Sequence, residues 1–249
     1  MIKLKSREEI ERIRESCHLL ERTHQEIAKL IDVGITTLEL DQFAKNYIET
    51  HGGSPAFLDY MGYPASLCTS VNSVVIHGIP GEHKLKNGDI ISLDLGIDLN
   101  GYFSDAARTY EVGTVSEEAH ELVEVTRQCL YAGIEKACAG NRIQDIGRAV
   151  SALAKRHNFG VVKDYCGHGV GFSQHEDPQI PNYVSRGPNP RIKQGMILAI
   201  EPMINLGTGK VVVHDDGWTV ETEDGQLSAH WEHTVAVFDD HTEILTQID

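Results

Sequence analysis

Two residues near the middle of the chain, Asn100-Gly101, constrain its fold more than any other feature. They separate two runs that alternate apolar and polar, Asp94-Leu95-Gly96-Ile97-Asp98-Leu99 and Tyr102-Phe103-Ser104-Asp105. That is the strongest short-range signal for a two-residue hairpin. With Asn100 and Gly101 as the loop, Leu99 faces Tyr102 and Gly96 faces Asp105. Asp94, two residues from Gly96 on the same strand, then points to the same face as Asp105. Diagonal neighbours of this kind lie roughly 7–8 Å apart, Cα to Cα. Two carboxylates held that way repel each other unless a cation lies between them, and the spacing suits a pair of ions about 3.5–4 Å apart. The alternative is a polar outer face with two solvated aspartates, and the hairpin alone does not choose between them.

The chain has 249 residues, enough for one large domain or two modest ones. With 41% hydrophobic and 24% charged residues it is composed like a globular protein rather than a disordered one. The formal net charge of −15 argues against nucleic acid as a general partner, because phosphate binding needs clustered Lys and Arg. Met1-Ile2-Lys3-Leu4-Lys5 leads into acidic residues rather than the apolar segment of a signal peptide. No apolar run approaches the roughly 20 residues of a membrane span. The five cysteines (17, 68, 129, 138 and 166) contain no C-x-x-C pair. Free thiols in a reducing, cytoplasmic setting are expected, with neither a disulfide framework nor a zinc ribbon.

Ser6, with Glu9 three residues on, reads as a capping box. Ile10, Ile13, Cys17, Leu20, His24, Ile27 and Leu30 then follow at steps of three and four, one stripe of a long amphipathic helix ended by Gly34. A second helix is expected from Thr37 to His51, an extended segment from Leu67 to Ile76, and then the hairpin. Ser116 opens a third helix to about Cys138, Gly140 breaks it, and a fourth runs from Ile143 to His157. Strands are expected near 161–166, 196–204, 210–214, 217–222 and 228–238. The layout repeats. Gly34 and His51 recur as Gly140 and His157, and Gly88-Asp89-Ile90-Ile91-Ser92-Leu93-Asp94 is echoed by Gly195-Met196-Ile197-Leu198-Ala199-Ile200-Glu201. An α+β domain of two like halves, about 6–113 and 116–238, with its site between them, follows from that pattern. No linker-like stretch divides the halves, so 1–249 is read as one domain.

Four further stretches look like parts of a site. Gly167-His168-Gly169-Val170-Gly171 sets a histidine among glycines, where backbone can approach closely. Its spacing is not that of a nucleotide loop. His175-Glu176-Asp177-Pro178 follows. Glu201 ends, and Glu232 begins, a strand that is otherwise almost wholly apolar, an odd place for a carboxylate without a compensating charge. Each could be structural when taken alone. Together, Asp94, Asp105, His168, Glu201 and Glu232 make four carboxylates and one imidazole. That set suits Mn²⁺, Fe²⁺ or Co²⁺, and also Zn²⁺. Four negative charges exceed what one divalent ion needs, which favours two. Two such ions activate water and polarise a carbonyl. From chemistry alone the expectation is hydrolysis of an amide, an ester or a phosphate.

In order and context these residues resemble the type I methionine aminopeptidases, of the "pita-bread" fold. The segments that carry the resemblance are Val71 to Pro80, Ser92-Leu93-Asp94, Ser104 to Thr109, Gly167 to Gly171, Glu201-Pro202-Met203 and Glu232-His233-Thr234. Type II members carry an insertion between the ligand histidine and the first ligand glutamate, which the short interval from His168 to Glu201 does not hold. Nor is there an N-terminal zinc-binding extension of the kind eukaryotic cytosolic members carry. The resemblance implies that Asp105 and Glu232 bridge two ions, that Asp94 holds one, and that His168 and Glu201 hold the other. It implies that Glu201 also shuttles a proton, that His77 stands near the scissile amide nitrogen, and that His175 stabilises the oxyanion. Asn72, Val74 and Ser228 match positions that hold a monovalent cation, Na⁺ or K⁺, in some relatives.

Tyr60, Tyr63, Cys68 and Trp218 match the family's methionine pocket, whereas Phe57 stands where cysteine is common and Gln174 where phenylalanine is common. Altered tolerance for the second residue of the substrate is the expected consequence. The implied substrates are N-termini of peptides and nascent proteins, with a transient ribosome association left open. The polar outer faces of the helices suggest a monomer. An Xaa-Pro peptidase of the same fold uses the same five ligands but usually carries a further N-terminal domain, for which the stretch before Asp94 leaves no room. A non-enzymatic binding module would have lost its ligands, and all are present.

Overall fold

Helix α1 (Arg7–Ala28) starts where the sequence says it should. Ser6 Oγ accepts a hydrogen bond from Glu9 N, and the Glu9 carboxylate accepts one from Ser6 N. It ends six residues before Gly34. Lys29 caps it, and Gly34 (φ 97°) instead turns the chain toward α2 (Thr37–Thr50), which has its own capping box of Thr36 and Glu39. The computed structural model describes residues 1–248. Strand β1 (Ser54–Pro55) and a single turn of 3₁₀ helix at Tyr60–Gly62 lead to β2 (Cys68–Val71) and β3 (Val74–Ile76). The extended segment expected over Leu67 to Ile76 is thus two strands, divided where Asn72 takes a left-handed conformation (φ 54°).

The hairpin is as expected. Strands β4 (Ile90–Leu99) and β5 (Tyr102–Glu111) pair antiparallel with Leu99 opposite Tyr102 and Gly96 opposite Asp105. Asn100 (φ 57°) and Gly101 (φ 83°) both take the left-handed conformation that a type I′ turn needs. Leu93, Leu95 and Ile97 on one face bury against Leu19, Leu20, Ile27, Leu40 and Ile48 of the two helices. The opposite face, with Ser92, Asp94 and Gly96, is left for chemistry. Strands β1 and β2 both pair along the edge of β4 opposite β5.

Helix α3 (Glu117–Ile134) is capped by Ser116 and stops short of Cys138, and α4 (Ile143–Arg156) follows. Then come β6 (Gly160–Val161), β7 (Gly167–Gly169), β8 (Glu176–Ile180), β9 (Ile197–Ile200), β10 (Met203–Asn205), β11 (Val211–Val213), β12 (Val220–Thr222), β13 (Ser228–His230), β14 (His233–Val237) and β15 (Thr242–Ile244). Expected strands 196–204 and 228–238 are each broken in two, at Glu201-Pro202 and at Trp231-Glu232. Of 161–166, only Val161 is strand, in β6. Strands β7, β8 and β15 were not expected. Together β15, β14, β9, β7 and β8 form a five-stranded sheet, which buries Leu198, Ile200 and Val235 against Leu130, Ile134 and Ile146 of α3 and α4.

Backbone contacts recur at the offsets seen in the sequence. Gly34 N donates to Leu85 O and Leu85 N to Ile35 O; Gly140 N donates to Ile192 O and Ile192 N to Asn141 O. Gly88 (φ 97°) and Gly195 (φ 83°) turn the chain into β4 and toward β9 in the same way.

His24, buried on α1, ties the helix to the hairpin by donating from Nε2 to Ala106 O at 3.0 Å. Burial, with Arg108 nearby, pulls its pKa down from 6.5 to about 3. The unfolded chain therefore takes up this proton first, and folded stability is lost as pH falls from ~6.5 toward ~3. In His24→Gln, whose amide can still donate, the drop in melting temperature between neutral pH and pH ~4 is expected to be smaller than in the wild type. An equal drop would remove His24 as a cause.

Candidate metal centre

Five side chains from both halves meet over the free face of the hairpin. Asp94 and Asp105 rise from β4 and β5, both buried. His168 sits in β7 between two glycines for a steric reason. A Cβ at Gly167 would lie 2.4 Å from Ala199 O, and one at Gly169 would lie 2.3 Å from Asp177 O. Only glycines let β7 fit between β8 and β9. His168 Nδ1–H donates to Gly169 O at 2.9 Å, which leaves Nε2 with its lone pair free. That nitrogen is 3.5 Å from Asp105 Oδ2 and 3.5 Å from Glu201 Oε1. Such gaps are long for hydrogen bonds and fit donors that share an ion about 2 Å from each.

Backbone bonds hold the two glutamates. Glu201 follows the last residue of β9, and its carbonyl accepts from Asn182 Nδ2 at 2.9 Å. Glu232 lies between β13 and β14, with its N–H on Ala107 O at 2.9 Å and its carbonyl taking Arg108 Nη1 at 2.5 Å. One ligand atom each from Asp105, His168 and Glu232 lies within 4.8 Å of the others.

The electrostatics point the same way. Burial, then the neighbouring carboxylates, pushes Asp94 and Glu232 far above the usual carboxylate range. Asp105 is raised by burial too, against the pull of His168. Burial would also raise Glu201, but His230 and His168 hold it below its ordinary value. Asp94 Oδ1, Asp105 Oδ1 and Glu232 Oε1 are buried with no hydrogen-bond partner. A buried charge without a partner is strongly unfavourable, and several oxygens left bare around one point are what a cation site supplies. The donor set is therefore fitted to divalent metal.

The centre forms the floor of a cavity of about 360 Å³ walled by Phe57, Tyr60, Met61, Tyr63, Cys68, His77 and Trp218. Tyr63 meets Trp218 edge-on at 5.2 Å, and its hydroxyl donates to Gly78 O at 3.0 Å. Burial pushes the Cys68 thiol well up, so the wall is apolar and uncharged. His77 and His175 are each pulled down to about 4, first by burial, so both rings are neutral near neutral pH. His175 Nδ1 is 3.0 Å from the Tyr60 hydroxyl.

The structure brings together the five expected ligands, both histidines and five of the six expected pocket residues. The sixth, Gln174, does not line the cavity. It is buried behind it, with its amide nitrogen donating to Asp105 Oδ2. Asn72 and Ser228 touch through Ser228 N–H on Asn72 O at 2.9 Å, and Val74 lies two residues along in β3. Two residues escaped the sequence reading. Met61 stands at the cavity rim in a left-handed conformation (φ 51°), and His230 is buried with Nε2 3.5 Å from Glu201 Oε2. His230 was findable, since it lies two residues before Glu232, on the same face of the strand expected over 228–238.

Residues 11–239 match metallopeptidase family M24. The chain is 52% identical to the methionine aminopeptidase of Treponema pallidum over 99% of this chain and 97% of that one. It is 48% identical to the methionine aminopeptidase of Clostridium perfringens over the full length of both. The crystal structure of methionine aminopeptidase from Rickettsia prowazekii superposes with a TM-score of 0.97 at 40% identity, covering 99% of this chain and 100% of that one. A prolidase from Pyrococcus furiosus, at 24% identity and a TM-score of 0.80, covers 99% of this chain and 66% of its own and shares the fold alone. The chain belongs to metallopeptidase family M24 and, within it, to the methionine aminopeptidases, with their pita-bread fold.

Without metal, the buried Asp94, Asp105 and Glu232 carboxylates oppose folding. Glu232→Gln is expected to raise the melting temperature of the chelator-treated protein, by about 2–4 °C per kcal/mol relieved, and to weaken the gain on adding Mn²⁺. A lower melting temperature in the chelated variant would contradict this reading of the site.

Proposed function

We propose that this chain removes the N-terminal methionine of peptides and nascent proteins when the second residue is small. Asp94, Asp105, His168, Glu201 and Glu232 would hold two divalent ions, drawn from Mn²⁺, Fe²⁺, Co²⁺ or Zn²⁺. The observation that carries the reading is the bare, buried carboxylate oxygens at the floor of an apolar cavity sized for an unbranched thioether. Ions bound there supply an activated water near neutral pH and polarise the scissile carbonyl.

The protein groups do the rest. Asp105, Glu232 and Glu201 would hold the ions, and Glu201 would also carry a proton between water and the leaving amine. His230 supports that role by keeping the Glu201 carboxylate ionised. The neutral His77 ring would donate near the scissile nitrogen. His175, with Tyr60 on Nδ1, presents its other nitrogen to the developing oxyanion. Phe57, Tyr60, Tyr63, Cys68 and Trp218 enclose the methionine side chain. Asn72, Val74 and Ser228 are assigned to a bracing monovalent cation, Na⁺ or K⁺. We further assign residues 1–249 to a single catalytic unit of two like halves that acts as a cytoplasmic monomer; the recurring glycine contacts and the free cysteines support it.

Metal-stripped protein is expected to release free methionine from Met-Ala-Ser only after Mn²⁺ or Co²⁺ is added, to leave an Ala-Pro peptide intact, and to lose activity in Asp105→Ala. Cleavage of Ala-Pro alone would move the assignment to the X-Pro peptidases. His175→Ala is expected to lower kcat on Met-Ala-Ser by about 10²–10³ with metal content unchanged; an unchanged kcat would remove its oxyanion role.

A further inference from the structure

Gln174 is 1% exposed, and its side-chain nitrogen donates to Asp105 Oδ2. Only the amide nitrogen can face a carboxylate, so the orientation of the group is fixed by chemistry. Its oxygen, Oε1, is buried without a partner, and so is the second oxygen of Asp105. Leaving a buried amide oxygen unbonded is unfavourable, so apolar packing alone does not account for an amide at this position.

The surroundings are shaped to hold the amide. Gly96 is the direct cross-strand partner of Asp105. A Cβ there would lie 2.7 Å from Gln174 Oε1, 2.8 Å from Nε2 and 2.9 Å from Phe57 Cε1. Gly96 therefore leaves the space beside Asp105 that the amide and the phenyl ring fill together. Phe57 and Gln174, the two departures seen in the sequence, share one patch of backbone.

We propose that Gln174 is a positioning residue of the metal centre: its amide donates to one lone pair of Asp105 Oδ2 and fixes the carboxylate, so that Oδ1 and the remaining lone pair of Oδ2 face the ions. Phe57 and the bare backbone of Gly96 confine the amide to that task. The proposal rests on the metal-dependent reading above and deepens it. Outer partners of ligating carboxylates set how well the ligand is presented, and their loss typically weakens metal binding by about 10–100-fold.

The test is Mn²⁺ affinity of the stripped full-length protein by titration calorimetry, alongside the melting temperature of the stripped form. Gln174→Met, close in volume and without a donor, is expected to bind Mn²⁺ about 10–100-fold more weakly while the stripped protein keeps its melting temperature. Gly96→Ala, which pushes the amide away while keeping it, is expected to weaken binding similarly. The double variant should be no weaker than the worse single one, because both changes break the same bond. Wild-type affinity in a folded Gln174→Met, or in Gly96→Ala, would overturn the proposal. Absence of Mn²⁺ binding by the wild type would overturn the metal reading beneath it.

Discussion

Four converging carboxylates that repel one another, three of them buried, are the constraint on which this structure turns. Burial and mutual charge push Asp94 and Glu232 well above their ordinary range. One imidazole among them, at 3.5 Å from two carboxylate oxygens, cannot neutralise the set. Left to themselves these side chains would turn to solvent or pull the halves of the chain apart. The fold prevents this by giving each a backbone that cannot move.

The restraint is spread over both halves. The ten-pair ladder of β4 and β5 fixes the two aspartates, and the helices that bury Leu93, Leu95 and Ile97 keep that ladder flat against the core. Arg108 reaches across the back of the site. It bonds to Glu21 of α1 at 3.0 Å, to the carbonyls of Ala107 and Glu232, and to Thr246 O at 3.0 Å. One guanidinium thus ties the first helix, the hairpin and the segment after β15 around the Glu232 backbone. The glycines beside His168 and the Asn182 amide on Glu201 O do the same for the other half. Rigidity here opposes charge repulsion, and stability is exchanged for a site ready to accept cations.

Much of this could be read from the sequence, for local reasons. Asn100-Gly101 dictates its own turn, and the turn dictates register, so the common face of Asp94 and Asp105 needed no tertiary knowledge. Capping boxes at Ser6 and Thr36 set helix starts in the same way. Helix ends were less legible: α1 stops at Ala28 and α3 at Ile134 because the chain must turn toward the next element, and neither Lys29 nor Glu135 signals it. Strands β7 and β8 were invisible, since Gly167-His168-Gly169 is too short to show a periodicity and the five residues of β8 pair only with it. His230 is easily missed because a lone histidine on an apolar strand usually packs. Gln174 was assigned to the pocket by position, whereas its hydrogen bond turned it toward Asp105. Side-chain direction at one loop residue is set by its neighbours, here Gly96 and Phe57, and these lie far away in sequence.

Two ions among the converging carboxylates would relieve their repulsion, and anomalous diffraction at the manganese edge, from crystals of this chain soaked in Mn²⁺, would reveal them. Two peaks about 3.5–4 Å apart are expected between the free face of the hairpin and His168, Glu201 and Glu232. A site without anomalous density, or with manganese bound only elsewhere on the molecule, would contradict the two-ion site.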